Sequence, residues 1–162
     1  MPTQRLVVVA GPSGSGKSTV ARAAAALADA AFVEADDYHS DAARAAMAAG
    51  RGLTDAERAP WIARVGAAVR AAPSPRVVLA CSALNPSVRR GLTQAAGCAP
   101  VFVMLDVPRA ELARRLVARE GHFAGPDLLN SQLSALDAAG AETLDASQPV
   151  AALAKAIAAR FG

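Results

Sequence analysis

A chain of 162 residues with a net charge of +3 suits one domain, long enough to bury most of its apolar surface. Hydrophobic residues make up 53% but aromatics only 4%, and the arginines are scattered rather than gathered into a basic tract, which argues against a nucleic-acid groove and for small anionic ligands. No apolar run is long enough to cross a bilayer, and five apolar residues near the start are too few for a signal peptide, so the expectation is a cytoplasmic protein without a membrane partner.

The first element is a strand at Leu6 to Ala10, followed by GPSGSGKS at Gly11 to Ser18 and by an alanine-rich helix from Lys17. This order of strand, glycine-rich loop and helix is the context in which GxxxxGKS becomes a triphosphate site. Gly11, Gly14 and Gly16 let main-chain N–H groups turn inward around Ser13 and Ser15, and the helix start through Thr19 adds unpaired donors and a positive dipole end. Lys17 is then placed to reach the β and γ phosphates, and the Ser18 hydroxyl to ligate a bridging Mg²⁺. Only Lys17 and Lys155 among the 17 basic residues are lysine, and a slim ammonium fits between phosphate oxygens where a planar guanidinium does not.

A second strand at Ala31 to Glu34 leads into Asp36, Asp37 and His39, then helices across Asp41 to Ala49 and Asp55 to Ala71, the latter opened by the capping-box pair Thr54 and Glu57. Either Asp36 or Asp37 can orient an acceptor hydroxyl or hold a metal-bound water, and a solvated Asp-Asp turn is the bland alternative. Pro73 to Pro75 reads as a tight connection to a strand at Val77 to Cys81, which precedes Ser82 to Asn85 and a helix from Pro86. After a strand at Val101 to Asp106, Asp106 reads either as a Mg²⁺-holding carboxylate or as the cap of a helix from Pro108 to Arg119. Arg115 and Arg119 fall four apart on one face of that helix, just before Gly121, His122 and Phe123; they are either guanidiniums that close over a triphosphate or a solvated basic face.

A further helix from about Asp127 to Leu136, a short strand at Glu142 to Leu144 and a closing helix opened by Pro149 complete the chain. Such alternation calls for a single α/β domain over 1–162, a doubly wound parallel sheet with helices on both faces and ligands beyond the carboxyl ends of the strands. The stretch of about 115–130, around Gly121 and His122, is placed to act as a mobile lid. Cys81 and Cys98 are too isolated for a disulfide framework and read as buried free thiols. His39 and His122 lie far apart without ligand-spaced partners, which speaks against a protein-built transition-metal site.

Longer motifs carry more. GPSGSGKSTVA at Gly11 to Ala21, DDYH at Asp36 to His39, AMAAGRGLTDAERAPW at Ala46 to Trp61, CSAL at Cys81 to Leu84, RLVAREGHF at Arg115 to Phe123, LLNSQLSAL at Leu128 to Leu136 and ASQPV near the end follow one another in order. With them the chain resembles, almost end to end, the gluconate kinases, also called the thermoresistant glucokinase family. The resemblance implies a P-loop NTPase of the small-metabolite kinase type that uses ATP and Mg²⁺ to phosphorylate the terminal hydroxyl of D-gluconate, and it implies a homodimer. It assigns catalytic roles to Lys17, Asp36, Arg115 and Arg119, and substrate contacts to Asp36, His39, Arg58, Ser82 and His122. Asp36 also falls at the metal site, through a water, and the loop before Pro149 falls where related kinases hold adenine.

Gluconate is a carboxylate with many hydroxyls, so its pocket needs a cation and several hydrogen-bonding groups, for which Arg58 and His39 are candidates. Leu53, Thr54, Asp55, Arg58 and Trp61 match the family's sugar-side wall, although Trp61 at helical spacing with Val65 and Val69 also reads as core. Five positions depart from the family pattern. Asn85 and Val88 stand where lysine and tyrosine are usual, which removes a positive charge and keeps another sugar acid or polyol open as the acceptor. Ala35 replaces a glycine and so disfavours positive φ, and Ser40 replaces a proline. Asp106 sits where the family is generally not acidic. A nucleotide-binding regulator without kinase activity is the reading from a different class.

Overall fold

Period-two alternation along the first strand sends its side chains into two separate cores. A computed structural model describes residues 3–118 and 126–162. In β1 (Arg5–Ala10), Leu6, Val8 and Ala10 pack with Trp61, Val65, Val69 and Leu92, while Val7 and Val9 pack with Val20, Ala24, Leu153 and Ile157. Both faces are covered, so the strand reads as a continuous apolar run, as buried parallel strands do. Its neighbours are β3 (Arg76–Ala80) and β4 (Val101–Asp106); β2 (Ala31–Glu34) pairs with β3, and β5 (Glu142–Asp145) with β4. All four pairings are parallel and give the order β2-β3-β1-β4-β5.

Helices α1 (Lys17–Ala28) and α7 (Val150–Ala158) cover one face, and α3 (Asp55–Arg70) and α4 (Pro86–Ala96) the other. The remaining helices α2 (Asp41–Ala48), α5 (Arg109–Ala118) and α6 (Pro126–Ala135) follow β2 and β4. The doubly wound sheet expected from the sequence is therefore present. Several ends differ by one residue from the sequence reading: β3 spans 76–80 rather than 77–81, and α2 and α3 each stop one residue earlier, the usual scale of end fraying. The unforeseen element is a 3-10 turn at Ala35–Tyr38, directly after β2. Arg119, Gly121, His122 and Phe123 lie outside the described residues. Among the described residues no helix is long and apolar enough to cross a membrane.

The α3–α4 crossing depends on a missing side chain. A Cβ at Gly66 would lie 2.6 Å from both the carbonyl carbon and the oxygen of Ala95, which are backbone atoms with no rotamer to yield. Gly66→Ala gains about 1 kcal/mol of helix propensity, but overpacking costs roughly 1–3 kcal/mol, and contact with rigid backbone puts this site at the upper end. The expected net loss of about 1–2 kcal/mol would lower Tm by roughly 2–8 °C in a thermal melt.

Candidate active site

The P-loop leaves the central strand at Gly11, where the chain approaches itself too closely for a side chain: a Cβ there would meet Ser15 Oγ at 2.6 Å. Gly16, at φ 87°, sits in the left-handed region and forms the N-terminal boundary of α1, so the next N–H groups point into the loop. The turn is pinned by two main-chain bonds, Gly11 N–H to Ser82 O at 3.2 Å and Ser15 N–H to Pro12 O at 3.1 Å. Ser13, Ser15 and Lys17 are buried, and Ser15 Oγ has no hydrogen-bond partner. An orphaned hydroxyl and a buried ammonium inside a ring of amides fit a bound polyphosphate.

The fold brings this loop to Asp36. Ser13, Gly14, Lys17, Ser18, Thr19 and Asp36 line one polar cleft. Asp37, the alternative carboxylate, is exposed. Sequence reasoning passed over Glu34, the last residue of β2: it accepts a short hydrogen bond from Ser18 Oγ and a longer one, 3.4 Å, from the Asp36 N–H. Burial pushes its carboxyl above the usual carboxylate range, which outweighs the opposing Ser18 bond, and the neighbouring Asp36 charge pushes the same way. The signal available in the sequence was its position, two residues before Asp36 at a strand end. Ser18, Glu34 and Asp36 form an oxygen-only donor set suited to Mg²⁺, which keeps waters and phosphate oxygens as its remaining ligands. Among the described residues no cluster of three or more His, Cys, Asp or Glu side chains stands ready to cage a metal. Asp106 is exposed at the end of β4, away from this cleft.

The 3-10 turn orients the next two groups. Trp61 Nε1 donates to Ala35 O at 2.7 Å, and the Trp61 indole stacks on His39 with ring centroids 4.3 Å apart, so the residue is both core and wall. His39 Nε2 lies 3.8 Å from Asp36 Oδ1. Burial lowers the His39 pKa despite the Asp36 charge, so the ring is neutral near pH 7. Ala35 does not adopt positive φ, so the replacement of glycine costs nothing here, and Ser40 Oγ caps α2 by accepting from Ala43 N–H at 3.1 Å.

Beyond His39 opens a cavity of about 250 Å³, lined among others by Arg58, Trp61, Ser82, Asn85 and Val88. Arg58 Nη1 and Nη2 donate to Leu53 O and Asp55 Oδ1, each at 2.6 Å, while Arg58 Nε and His39 Nδ1 are buried without a partner. Two unsatisfied nitrogens on residues lining one cavity of mixed polar and apolar walls leave hydrogen-bonding capacity that a hydroxylated anion would use. Asn85 spends its Oδ1 on capping α4 through Val88 N–H at 3.1 Å, with Pro86 in the first turn. Between Ser82 and Asn85 the backbone is strained: Ala83 has φ 40°. Buried Arg89 holds it there, donating to Ala83 O at 2.8 Å and to the carbonyls of Asp137 and Ala139 at 2.6 Å each.

On the other side of the P-loop, a larger cleft of about 760 Å³ runs between Gly14, Thr19, Arg115, Gln148, Pro149 and Leu153, within the size range of small-molecule sites. Arg115 does reach the loop: Nη1 donates to Gly14 O and Nε to Glu111 Oε1, both at 3.0 Å. Glu111 also takes two bonds from Arg114, and the paired guanidiniums hold its carboxyl down at about 2. Arg119, the other expected lid arginine, and His122, an expected substrate contact, are outside the described residues. Cys81 is a buried free thiol, pushed up to about 12 by burial; Cys98 is free but only half-buried, contrary to expectation, because it follows the C-terminal turn of α4 at the surface.

A family profile described as an AAA domain matches residues 6–142. The chain is 42% identical over 139 residues to the gluconokinase of Gluconobacter oxydans (strain 621H), covering 84% of this chain and 77% of that protein. The structure of a gluconokinase from Sinorhizobium meliloti 1021 matches at 38% identity and a TM-score of 0.79, over 99% of this chain and 93% of the other. An unliganded sugar kinase from Janibacter sp. HTCC2649 matches at 36% identity and a TM-score of 0.84, over 94% and 91% of the two chains.

Proposed function

We propose, because the chain belongs to the gluconokinase family of P-loop kinases, that it transfers the γ-phosphoryl group of ATP to the terminal hydroxyl of D-gluconate, giving 6-phospho-D-gluconate and ADP. One observation carries the reading: Asp36 lines the phosphate cleft while His39, 3.8 Å from it, lines the neighbouring cavity, so the two sites share a border. The P-loop amides and Lys17 hold the triphosphate, and Arg115 stands beside the same loop. Asp36 accepts a hydrogen bond from the acceptor hydroxyl and aims its oxygen at the γ-phosphorus; as the new P–O bond forms and the bond to ADP breaks, the hydroxyl proton passes to Asp36. Ser18 and, through water, Glu34 and Asp36 would hold Mg²⁺, which neutralises charge on the β and γ oxygens when bound. Arg58 meets the sugar carboxylate, and His39 Nδ1 and Ser82 meet hydroxyls. Arg119 and His122 are retained as lid and substrate residues on the strength of the family motif. The same reading carries a homodimer in the cytoplasm.

A second acceptor is favoured by one feature. Asn85 and Val88 both line the cavity where the family resemblance puts lysine and tyrosine, leaving Arg58 to hold the carboxylate without that lysine. A coupled ADP-release assay on gluconate, other aldonates, glucose and shikimate decides. Gluconate should give the highest kcat/KM, with glucose and shikimate at background; a different aldonate ahead of gluconate would move the assignment, and ATP binding without ADP release on any acceptor would make the protein a regulator.

A further inference from the structure

One side chain touches both ligand sites and has no role in the scheme above. Gln132 of α6 lines the sugar-side cavity, and its Oε1 accepts from the main-chain N–H of Ser13 in the P-loop at 2.8 Å. Among the described residues its amide NH₂ has no hydrogen-bond partner.

The helix that carries it is seated on the wall of the same cavity. Ser131 packs so closely on the loop between α2 and α3 that a Cβ at Gly52 would come within 2.5 Å of its Oγ, and just after the helix Asp137 N–H donates to Leu84 O at 2.7 Å. These contacts fix α6 against the segments that supply Leu53 and Ser82. Gln132 then carries that fixed frame to the phosphate loop.

We propose that Gln132 is a positioning residue for phosphoryl transfer, an inference that rests on the kinase reading: its carbonyl oxygen holds the P-loop at Ser13 in register with the acceptor cavity, and its NH₂ supplies a donor at their border. Displacements of about 1 Å between reacting groups cost roughly 100-fold in rate, whereas ground-state binding of a nucleotide held by many other amides is little affected. The loss therefore falls on kcat.

Gln132→Met keeps the length and removes both the acceptor and the donors. Rates are counted per nucleotide site, titrated with a non-hydrolysable ATP analogue, so that any misfolded fraction does not enter. Q132M should lose roughly 100-fold in kcat while its KM for ATP, its analogue Kd and its Tm stay close to those of the parent chain. A kcat within threefold of the parent, or an effect confined to Tm or to nucleotide affinity, overturns the inference. Should the parent use another acid in place of gluconate, the gluconate assignment fails by itself, and the Q132M ratio is read on that acid with the same two outcomes.

Discussion

Lys17→Ala is expected to lower kcat by about 10²–10³-fold, equivalent to roughly 3–4 kcal/mol of transition-state stabilisation, with a smaller rise in the KM for ATP. The ammonium is buried at the floor of the phosphate cleft, and no carboxylate forms an ion pair with it among the described residues. Its counter-charge is therefore the ligand's. Charge grows on the β,γ-bridging oxygen as that bond breaks, so the lysine contributes more in the transition state than to ground-state binding. Removing a buried cation without a partner relieves desolvation in the empty protein, so the variant should melt at or above the parent temperature. Steady-state kinetics paired with a thermal melt check both halves. A variant that keeps kcat within tenfold removes Lys17 from its role, and one that melts far lower shows the ammonium to be structural.

The fold was legible because its two periods are clean. Apolar runs such as RLVVVA are buried on both faces, and this one leads through a glycine turn into α1, so β1 and the P-loop could be placed from the order of residues alone. The positions of Asp36 and Arg115 were legible for the same reason: motif context puts Asp36 just after β2 and Arg115 in the last turn of α5, and both come to the P-loop. Glu34 was not, since its importance comes from reaching Ser18 at the start of α1, and a contact between the end of β2 and the helix that follows β1, with β3 lying between those two strands, leaves no spacing in the sequence. Gln132 was hidden similarly, 119 residues from its partner Ser13.

Trp61 illustrates a different limit. Core and site were weighed as alternatives, yet the indole is buried beside Val65 while its other edge stacks on His39 and borders the cavity. Periodicity reports which face of a helix is apolar; it does not say whether the far side of that core is a ligand. The left-handed Ala83 carries no sequence signature either, because an alanine there announces no turn, and only the buried guanidinium of Arg89 on its carbonyl accounts for its persistence. That bond shapes the stretch bearing Ser82 and Asn85, which line the cavity, although the Arg89 head group itself points at backbone.

Asp36→Asn should lower kcat by about 10²–10⁴-fold while the Kd of an ATP analogue changes by less than about threefold, because the amide keeps the size but loses the proton acceptor. If the analogue Kd rises instead and kcat holds, Asp36 is a nucleotide or metal ligand and Glu34 takes over the alignment of the hydroxyl. Stability separates the two carboxylates further. Glu34 has its folded pKa raised above the ordinary 4.5, so its contribution is fully present below that value and is lost as pH rises through the folded one. Part of that upward push comes from the Asp36 charge, which the asparagine removes. Between pH 4 and 7 the parent should therefore lose more Tm from this pair than D36N does, and Mg²⁺ with ATP should restore more to the parent, since two carboxylates rather than one then find a counter-charge. Equal pH slopes for the two proteins would mean that Glu34 and Asp36 do not share a field, and the shared metal and acceptor site drawn around them would have to be divided.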